Sequence, residues 1–215
     1  MFGRRGRIAL GLYARTVADF RADVVGLQEL DRRMVRTRWA DMAARAANAS
    51  SSHHQFGAAM REWDRGEYGN ALVSRNELSA AQVARLPKVV RNSEPRCAVT
   101  ADTVAAGTKW CVSTTHLSFY DNESDVQLAF LLDHLAEQGR PTVLMGDFNR
   151  RPEQVLPIAT AGGWAVADTE STFPSWDPRA RIDYVLVKGA EICSATSIST
   201  PISDHCAVVA ELRPL

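Results

Sequence analysis

No run of apolar residues in this 215-residue chain approaches the ~20 that a membrane-spanning helix needs, and the basic N-terminus carries no continuous apolar stretch of the kind an export signal uses. A transmembrane helix is therefore not expected, and as written the chain reads as soluble and cytoplasmic. The four cysteines, Cys97, Cys111, Cys193 and Cys206, show no CxxC spacing, so neither a zinc ribbon nor a dense disulfide framework is expected. Each lies in or beside an apolar, strand-like segment, and all four are expected to be reduced core thiols. Net charge is also lacking: 25 basic residues balance 25 acidic ones. Long nucleic acid therefore remains a possible partner that the overall charge does not favour. Repeats, low-complexity tracts and linkers are absent too, and 46% apolar residues suffice for a substantial core, so residues 1–215 are expected to form a single domain.

The zero balance hides an asymmetry. Residues 1–100 hold 17 Lys/Arg against 10 Asp/Glu, and residues 101–215 hold 8 against 15. An acidic half suits a cation site, while arginines such as Arg32, Arg33, Arg36 and Arg38 could meet a phosphate-bearing substrate or simply form a solvated surface.

Helical spacing of Ile8, Leu12, Tyr13, Thr16, Val17 and Phe20 predicts an amphipathic helix over roughly 7–22, and the apolar run at 23–28 a buried strand ending at Glu29. Alanines predict a helix over 39–47. Strands are expected at 54–60 and 68–74 around a polar rim loop at 61–67, then at 80–86, 97–104 and 109–115, with 105–107 as a hairpin turn. A helix over 124–138 stops before Gly139 and Pro141. A strand at 142–145, a short helix from about Pro152, a loop at 168–179 and strands near 182–187, 191–199 and 206–212 complete the chain. Hairpin-length connections between several strands argue against a purely parallel sheet, and a mixed two-sheet core with helices outside fits better.

Four short polar motifs sit beside these strands: LQEL at 27–30, THLS at 115–118, MGDFNR at 145–150 and SDH at 203–205. Strand ends are where a sheet protein gathers side chains into one pocket. Phosphate ester hydrolysis needs charge neutralisation, a positioned water and a stabilised leaving oxygen. Glu29 is the best single candidate ligand for a hard cation such as Mg²⁺. Gly146 permits a tight turn, Asp147 can accept from water, and Asn149 can donate to a phosphate oxygen. His205 is a candidate imidazole, with Asp183, which starts the DYVLV strand, better placed than adjacent Asp204 to orient it.

In this order, the motifs VVGLQE, YGNALVSR, TTHLS, GDFN, RIDYVLV and SDHCAV resemble the endonuclease/exonuclease/phosphatase superfamily, over residues 7–213. The resemblance implies a four-layer α/β sandwich, two packed mixed β-sheets flanked by helices, with Mg²⁺ or Mn²⁺ as cofactor. Glu29 matches that family's metal-binding glutamate, and Asp204 an acid that can approach the metal. Asp147 and Asn149 match the pair that orients nucleophile and phosphate, and His205 the active-site histidine with Asp183 behind it. His116 matches a second histidine that stabilises phosphate or leaving group, and Asn70 a residue lining the pocket. Members normally open with a strand ending in an Asn-containing motif, whereas this chain passes from Met1–Arg7 straight into the first helix. The opening strand is thus expected to be missing, and an upstream segment could have held an export signal.

The resemblance implies a metal-dependent phosphoesterase acting on a phosphodiester, a nuclease or a headgroup phosphodiesterase. Two alternatives stand beside it: a phosphomonoesterase on an inositol phosphate-like substrate, and a catalytically weak binding or remnant protein. The loop at 168–179, with Phe173 and Trp176, is the expected substrate rim.

Overall fold

Apolar side chains alternate along the central strands, and that alternation sorts the molecule into layers. Leu144 and Leu186 point to one face of their sheet, with Val143, Val185 and Val187 on the other. The computed structural model describes residues 9–63 and 65–215. In chain order the elements are α1 (Leu10–Asp19), β1 (Val24–Arg32), a 3₁₀ turn (Val35–Thr37), α2 (Met42–Ala49), β2 (His53–Arg61), β3 (Glu67–Ser74), β4 (Ser79–Arg85), β5 (Cys97–Ala105) and β6 (Thr108–His116). They continue with α3 (Asp121–Leu135), β7 (Thr142–Asp147), α4 (Pro152–Ala161), β8 (Ala165–Val166), β9 (Asp183–Lys188), β10 (Ala190–Ile198) and β11 (Ala207–Pro214).

Six strands form one sheet in the order β4-β5-β6-β7-β9-β8. Only β6 and β7 run parallel, because α3 crosses over between them; every other neighbour pair is antiparallel. The facing layer is in two pieces among the described residues, β1-β3-β2 and β10-β11. Leu72, Val99, Val112, Val143, Val185 and Val187 fill the space between the layers. Tyr13 and Val17 of α1 and the alanines of α2 cover the outer face of the three-stranded sheet. Leu128, Leu131, Leu132 and Leu135 of α3, with Val155 and Ala159 of α4, cover the outer face of the six-stranded one. The result is helix, sheet, sheet, helix: the α/β sandwich expected from the motifs.

Several boundaries differ from the sequence reading. The first helix begins at Leu10, and residues 7 and 8 of its expected span lie outside the described ones. The helix expected over 39–47 starts at Met42, because Asp41 caps it by accepting from the Ala44 amide at 2.9 Å. In α3 the start moves to Asp121, which buries Glu123 and Ser124 inside the helix. Glu123 is fully buried and accepts from the Val89 and Val90 amides at 2.7 and 2.6 Å and from Ser93 Oγ at 3.0 Å, tying the segment before β5 to the helix. All four cysteines are free, but Cys193 is exposed on β10, where its side chain faces away from the core.

One edge of β1 and one edge of β11 pair with no strand among the described residues. In the six-stranded sheet, Met145 and Gly146 are only half-buried, although β7 is central. The expectation of a missing opening strand falls on the chain ahead of Leu10, where residues 1–8 lie outside the described ones.

Gly146 is where the fold sets up the candidate site. Its φ is +146°, and a Cβ there would sit 1.9 Å from the Thr115 carbonyl oxygen of the parallel partner strand. Gly146→Ala is accordingly expected to cost at least about 3 kcal/mol, because backbone rather than a flexible side chain blocks the new methyl. Urea unfolding checks this, and a midpoint unchanged from wild type would contradict it.

Candidate active site

Parallel pairing of β6 with β7, and antiparallel pairing of β7 with β9, sets His116, Asp147 and Asp183 side by side in one row. The row closes at the end of the sheet where Leu117 N donates to the Asp147 carbonyl at 2.9 Å and Phe148 N to the Ile182 carbonyl at 2.8 Å. Asn149 adopts φ +53°, and its amide donates to Asp147 Oδ1 at 2.8 Å, a local turn that points the Asn149 side chain back at His116. Asn149 Nδ2 then lies 3.0 Å from His116 Nε2 and donates to the Leu117 carbonyl at 3.1 Å.

Glu29 reaches this row from the other layer. The β1–β3 register shifts between Leu27 and Leu30, a bulge that takes in Glu29 at φ +58°. Bulges re-aim side chains, and left-handed backbone at a non-glycine residue is strain typical of functional sites. Glu29 Oε1 lies 3.9 Å from His116 Nδ1, and Tyr68 hydrogen-bonds the same carboxylate. On the far side of Asp147, His205 Nδ1 sits 2.9 Å from Asp183 Oδ2, with the Phe173 ring 4.8 Å from the imidazole. Asp147 Oδ2 lies between the two imidazoles, 3.5 Å from His116 Nε2 and 3.9 Å from His205 Nε2.

These two histidines carry opposite electrostatics. Burial, with the Arg96 charge and that of His205 adding to it, pushes His116 down to about 3, so it is neutral at pH 7. With its Nε2 accepting from Asn149, the proton sits on Nδ1, toward Glu29. Burial also pulls His205 down, but the Asp183 hydrogen bond and the charges of Asp183 and Asp147 outweigh it and push it up to about 9. Burial and the neighbouring charge of Asp183 raise Asp147 well above the usual carboxylate range, against the opposing pull of His205 and the Asn149 amide.

Glu29, His116, Asp147, Asn149, Asp183 and His205 thus converge. Asp204 is exposed beside His205, and its backbone carbonyl accepts from the Ser175 amide at 2.7 Å. Asn70 is buried under the site and donates to the Cys97 carbonyl at 2.9 Å, so its amide ties β3 to β5. The sequence reading missed Tyr68 and Arg96. Tyr68 lies two residues before Asn70 in the quoted YGNALVSR motif. Arg96 precedes β5; it is nine-tenths buried, pairs with Glu94 Oε1 at 3.0 Å, and its Nε has no hydrogen-bond partner among the described residues. Among the described residues, Asp147, Asp183 and His205 offer ligand atoms all within 4.8 Å of one another. Since His205 occupies Asp183 and is cationic at neutral pH, that trio reads as a proton-holding arrangement. The Glu29 and Asp147 carboxylates are the better donors for a hard cation.

The model of the Endonuclease/Exonuclease/phosphatase family matches residues 7–205. No curated protein sequence matches. Among solved structures, a family protein from Leptotrichia buccalis C-1013-b is 17% identical at a TM-score of 0.76, covering 95% of this chain and 92% of that one. The mannosyl-6-phosphatase Bt3783 of Bacteroides thetaiotaomicron VPI-5482 is 17% identical at 0.76, covering 95% and 91%. The catalytic domain of human Nocturnin with bound sulfate is 20% identical at 0.70, covering 95% and 86%. At such identities the likeness is one of fold.

The raised His205 value makes a stability prediction for metal-free protein. Its folded value exceeds the ordinary 6.5, so its contribution is fully present below pH 6.5 and is lost as pH rises through about 9. After allowance for partial exposure, the contribution is about 2 kcal/mol, or roughly 4–8 °C in Tm. In EDTA, Asp183→Asn should lower Tm by that amount at pH 6 and by much less at pH 9.5. An equal deficit at both pH values in thermal melts would refute the pairing as its source.

Proposed function

Because the chain belongs to the endonuclease/exonuclease/phosphatase family, we propose that it is a single-domain, divalent-metal-dependent phosphoesterase that hydrolyses a phosphodiester. The observation that carries this reading is the position of Asp147, between a neutral and a cationic imidazole with Glu29 across the cleft.

Asp147 is the group that aligns the attacking water. Its raised proton affinity lets it accept the water's proton near neutral pH, where an ordinary carboxylate is too weak a base. Cationic His205, fixed by Asp183, faces the charge that grows on the phosphoryl oxygens. Asn149 and His116 form the opposite wall: Asn149 holds the His116 tautomer, and the Nδ1 proton of the neutral imidazole is directed toward Glu29.

The convergence of Glu29, Asp147 and Asp183 concentrates negative charge that raises the Asp147 proton affinity, and a hard cation relieves that repulsion. The residues therefore fit Mg²⁺ or Mn²⁺, with Glu29 and Asp147 as holders and Asp204, exposed beside His205, as a further acid. When bound, such an ion supplies charge neutralisation on the phosphate and acidifies water.

A phosphomonoester reading has one observation in its favour, the structural likeness to a mannosyl-6-phosphatase. Assays of bis(p-nitrophenyl) phosphate against p-nitrophenyl phosphate, each with Mg²⁺ or Mn²⁺ and then with EDTA, separate the two. The diester should be turned over in metal only, and Asp147→Ala should lower kcat by at least ~10³-fold, the loss expected for a positioned base and ligand. Wild-type turnover by Asp147→Ala, or full activity in EDTA, would overturn the assignment. Preference for the monoester would replace it with the second reading.

A further inference from the structure

Asp183 and His205 meet across two sheets. Asp183 opens β9 of the six-stranded sheet, and His205 lies in a bend ahead of β11 of the two-stranded one. Among the described residues no strand ladder joins these two stretches, so the 2.9 Å contact between His205 Nδ1 and Asp183 Oδ2 needs another part of the chain to fix its geometry. Residues 172–175 supply it. Thr172 Oγ1 accepts from the amides of Ile182 and Asp183 at 3.2 and 3.3 Å, and the Thr172 carbonyl accepts from the Cys206 amide at 2.7 Å. One residue is thus bonded to the backbone of Asp183 on one side and to the backbone immediately after His205 on the other. Three residues on, Ser175 donates from its amide to the Asp204 carbonyl at 2.7 Å and from its hydroxyl to the Ser203 carbonyl at 2.9 Å.

Thr172 is fully buried, where a hydroxyl must be hydrogen-bonded and a β-branched side chain has little rotational freedom. Its Oγ1 lies 3.5 Å from the Ala180 carbonyl, to which its own amide donates at 2.8 Å. Phe173 and Ala180 form an antiparallel bridge, which returns the chain toward β9 after the turn at 174–179. The Phe173 ring packs against the His205 imidazole, with centroids 4.8 Å apart. Two consecutive residues therefore restrain both members of the pair, Thr172 through the backbone and Phe173 through the ring. The first half of the loop expected as a substrate rim is spent on the protein itself. The hydroxyl oxygen is the telling part: it serves as acceptor for two amides, one of them the amide of the residue whose carboxylate holds the imidazole, and a valine of the same shape offers no such acceptor.

We propose that Thr172 is a positioning residue for the Asp183–His205 pair. From one buried point it holds the Asp183 amide and the segment after His205, and so sets the distance between carboxylate and imidazole. Through His205 it places the positive charge that faces the phosphoryl oxygens. The inference rests on the site being a phosphoesterase and adds to it a residue that touches none of the reacting groups. Misplacement of a reacting group by about 1 Å is enough to slow turnover strongly. The loss belongs in kcat rather than KM, because the placement matters where charge develops in the transition state.

The test uses the whole chain with Thr172→Val, which keeps the shape and removes the acceptor, and Thr172→Ser, which restores it. On bis(p-nitrophenyl) phosphate in Mn²⁺, Thr172→Val should lower kcat about 10-fold with KM within about twofold, and Thr172→Ser should recover most of the loss. In an Asp183→Asn background the valine substitution should cost less than about twofold, because the carboxylate it positions is gone. A readout independent of turnover is the ¹H spectrum of metal-free protein at pH 6. The His205 Nδ1 proton, bonded to a carboxylate, should give a far-downfield signal in wild type and Thr172→Ser that is weakened or lost in Thr172→Val. Should Thr172→Val fail to fold, Thr172→Ala, in which water can reach the two amides, takes its place with the same expectations. Wild-type kcat with the signal intact, equal losses for valine and serine, or an undiminished loss in the Asp183→Asn background would overturn the inference, the last two marking a residue that serves only the fold. A wild type that turns over nothing, with a signal that follows the Thr172 hydroxyl, would sustain the positioning role and sink the hydrolase. Metal-dependent turnover indifferent to Thr172 would do the reverse.

Discussion

Everything at the candidate site depends on the register between β6, β7 and β9. A parallel pair beside an antiparallel pair puts His116, Asp147 and Asp183 at matching heights, and a slip of one residue would turn Asp147 to the opposite face. The register is held by packing on both faces, with Val143, Val185 and Val187 against the facing layer and Leu144, Tyr184 and Leu186 against the helices. Tyr184 adds a polar lock, its hydroxyl donating to the Arg150 carbonyl at 2.8 Å immediately beyond Asn149. Core packing and site geometry are therefore one constraint, and the glycine at 146 is the point where the two strands approach too closely for any side chain.

From that row the electrostatics follow by burial and neighbours. Arg96, placed at the start of β5 where the segment pinned by Glu123 ends, helps keep one imidazole neutral. Asp183 keeps the other cationic. Asp147 sits between them with its affinity for protons raised, the condition under which a carboxylate acts as a base near pH 7. Two histidines within 4 Å of one carboxylate oxygen thus take different roles because one is enclosed beside an arginine and the other is paired with an acid.

Much of this was legible in the sequence because it is local. A strand's alternation shows where it ends, and the polar residues at those ends were Glu29, His116, Asp147 and Asp183. The sequence reading preferred Asp183 to Asp204 as the partner of His205 by assuming a strand there; His205 lies in a bend ahead of β11 instead, and its Nδ1 still sits 2.9 Å from Asp183 Oδ2. What escaped is non-local. The bulge that aims Glu29 is a mismatch between β1 and β3, which neither strand announces alone. Glu123 falls just ahead of the helix expected over 124–138, and the loop packed over it makes it a buried acceptor. Asn70 looked like a pocket liner, and its amide is spent on a carbonyl 27 residues away. Arg96 has no motif around it, and only the fold brings it near His116. Cys193 belongs to a strand with one outward face, where an apolar neighbourhood in sequence does not mean burial.

The central claim is that the two imidazoles flanking Asp147 hold opposite charge states at neutral pH. A ¹H–¹⁵N spectrum of the histidine side chains of metal-free protein at pH 7.5, assigned with His116→Gln and His205→Gln, tests it most directly. The expected result is a doubly protonated ring for His205 and, for His116, a neutral ring with its proton on Nδ1 and a bare Nε2. Two rings titrating together near the ordinary value of 6.5 would contradict the account, because Asp147 would then lack the asymmetric surroundings on which its role depends.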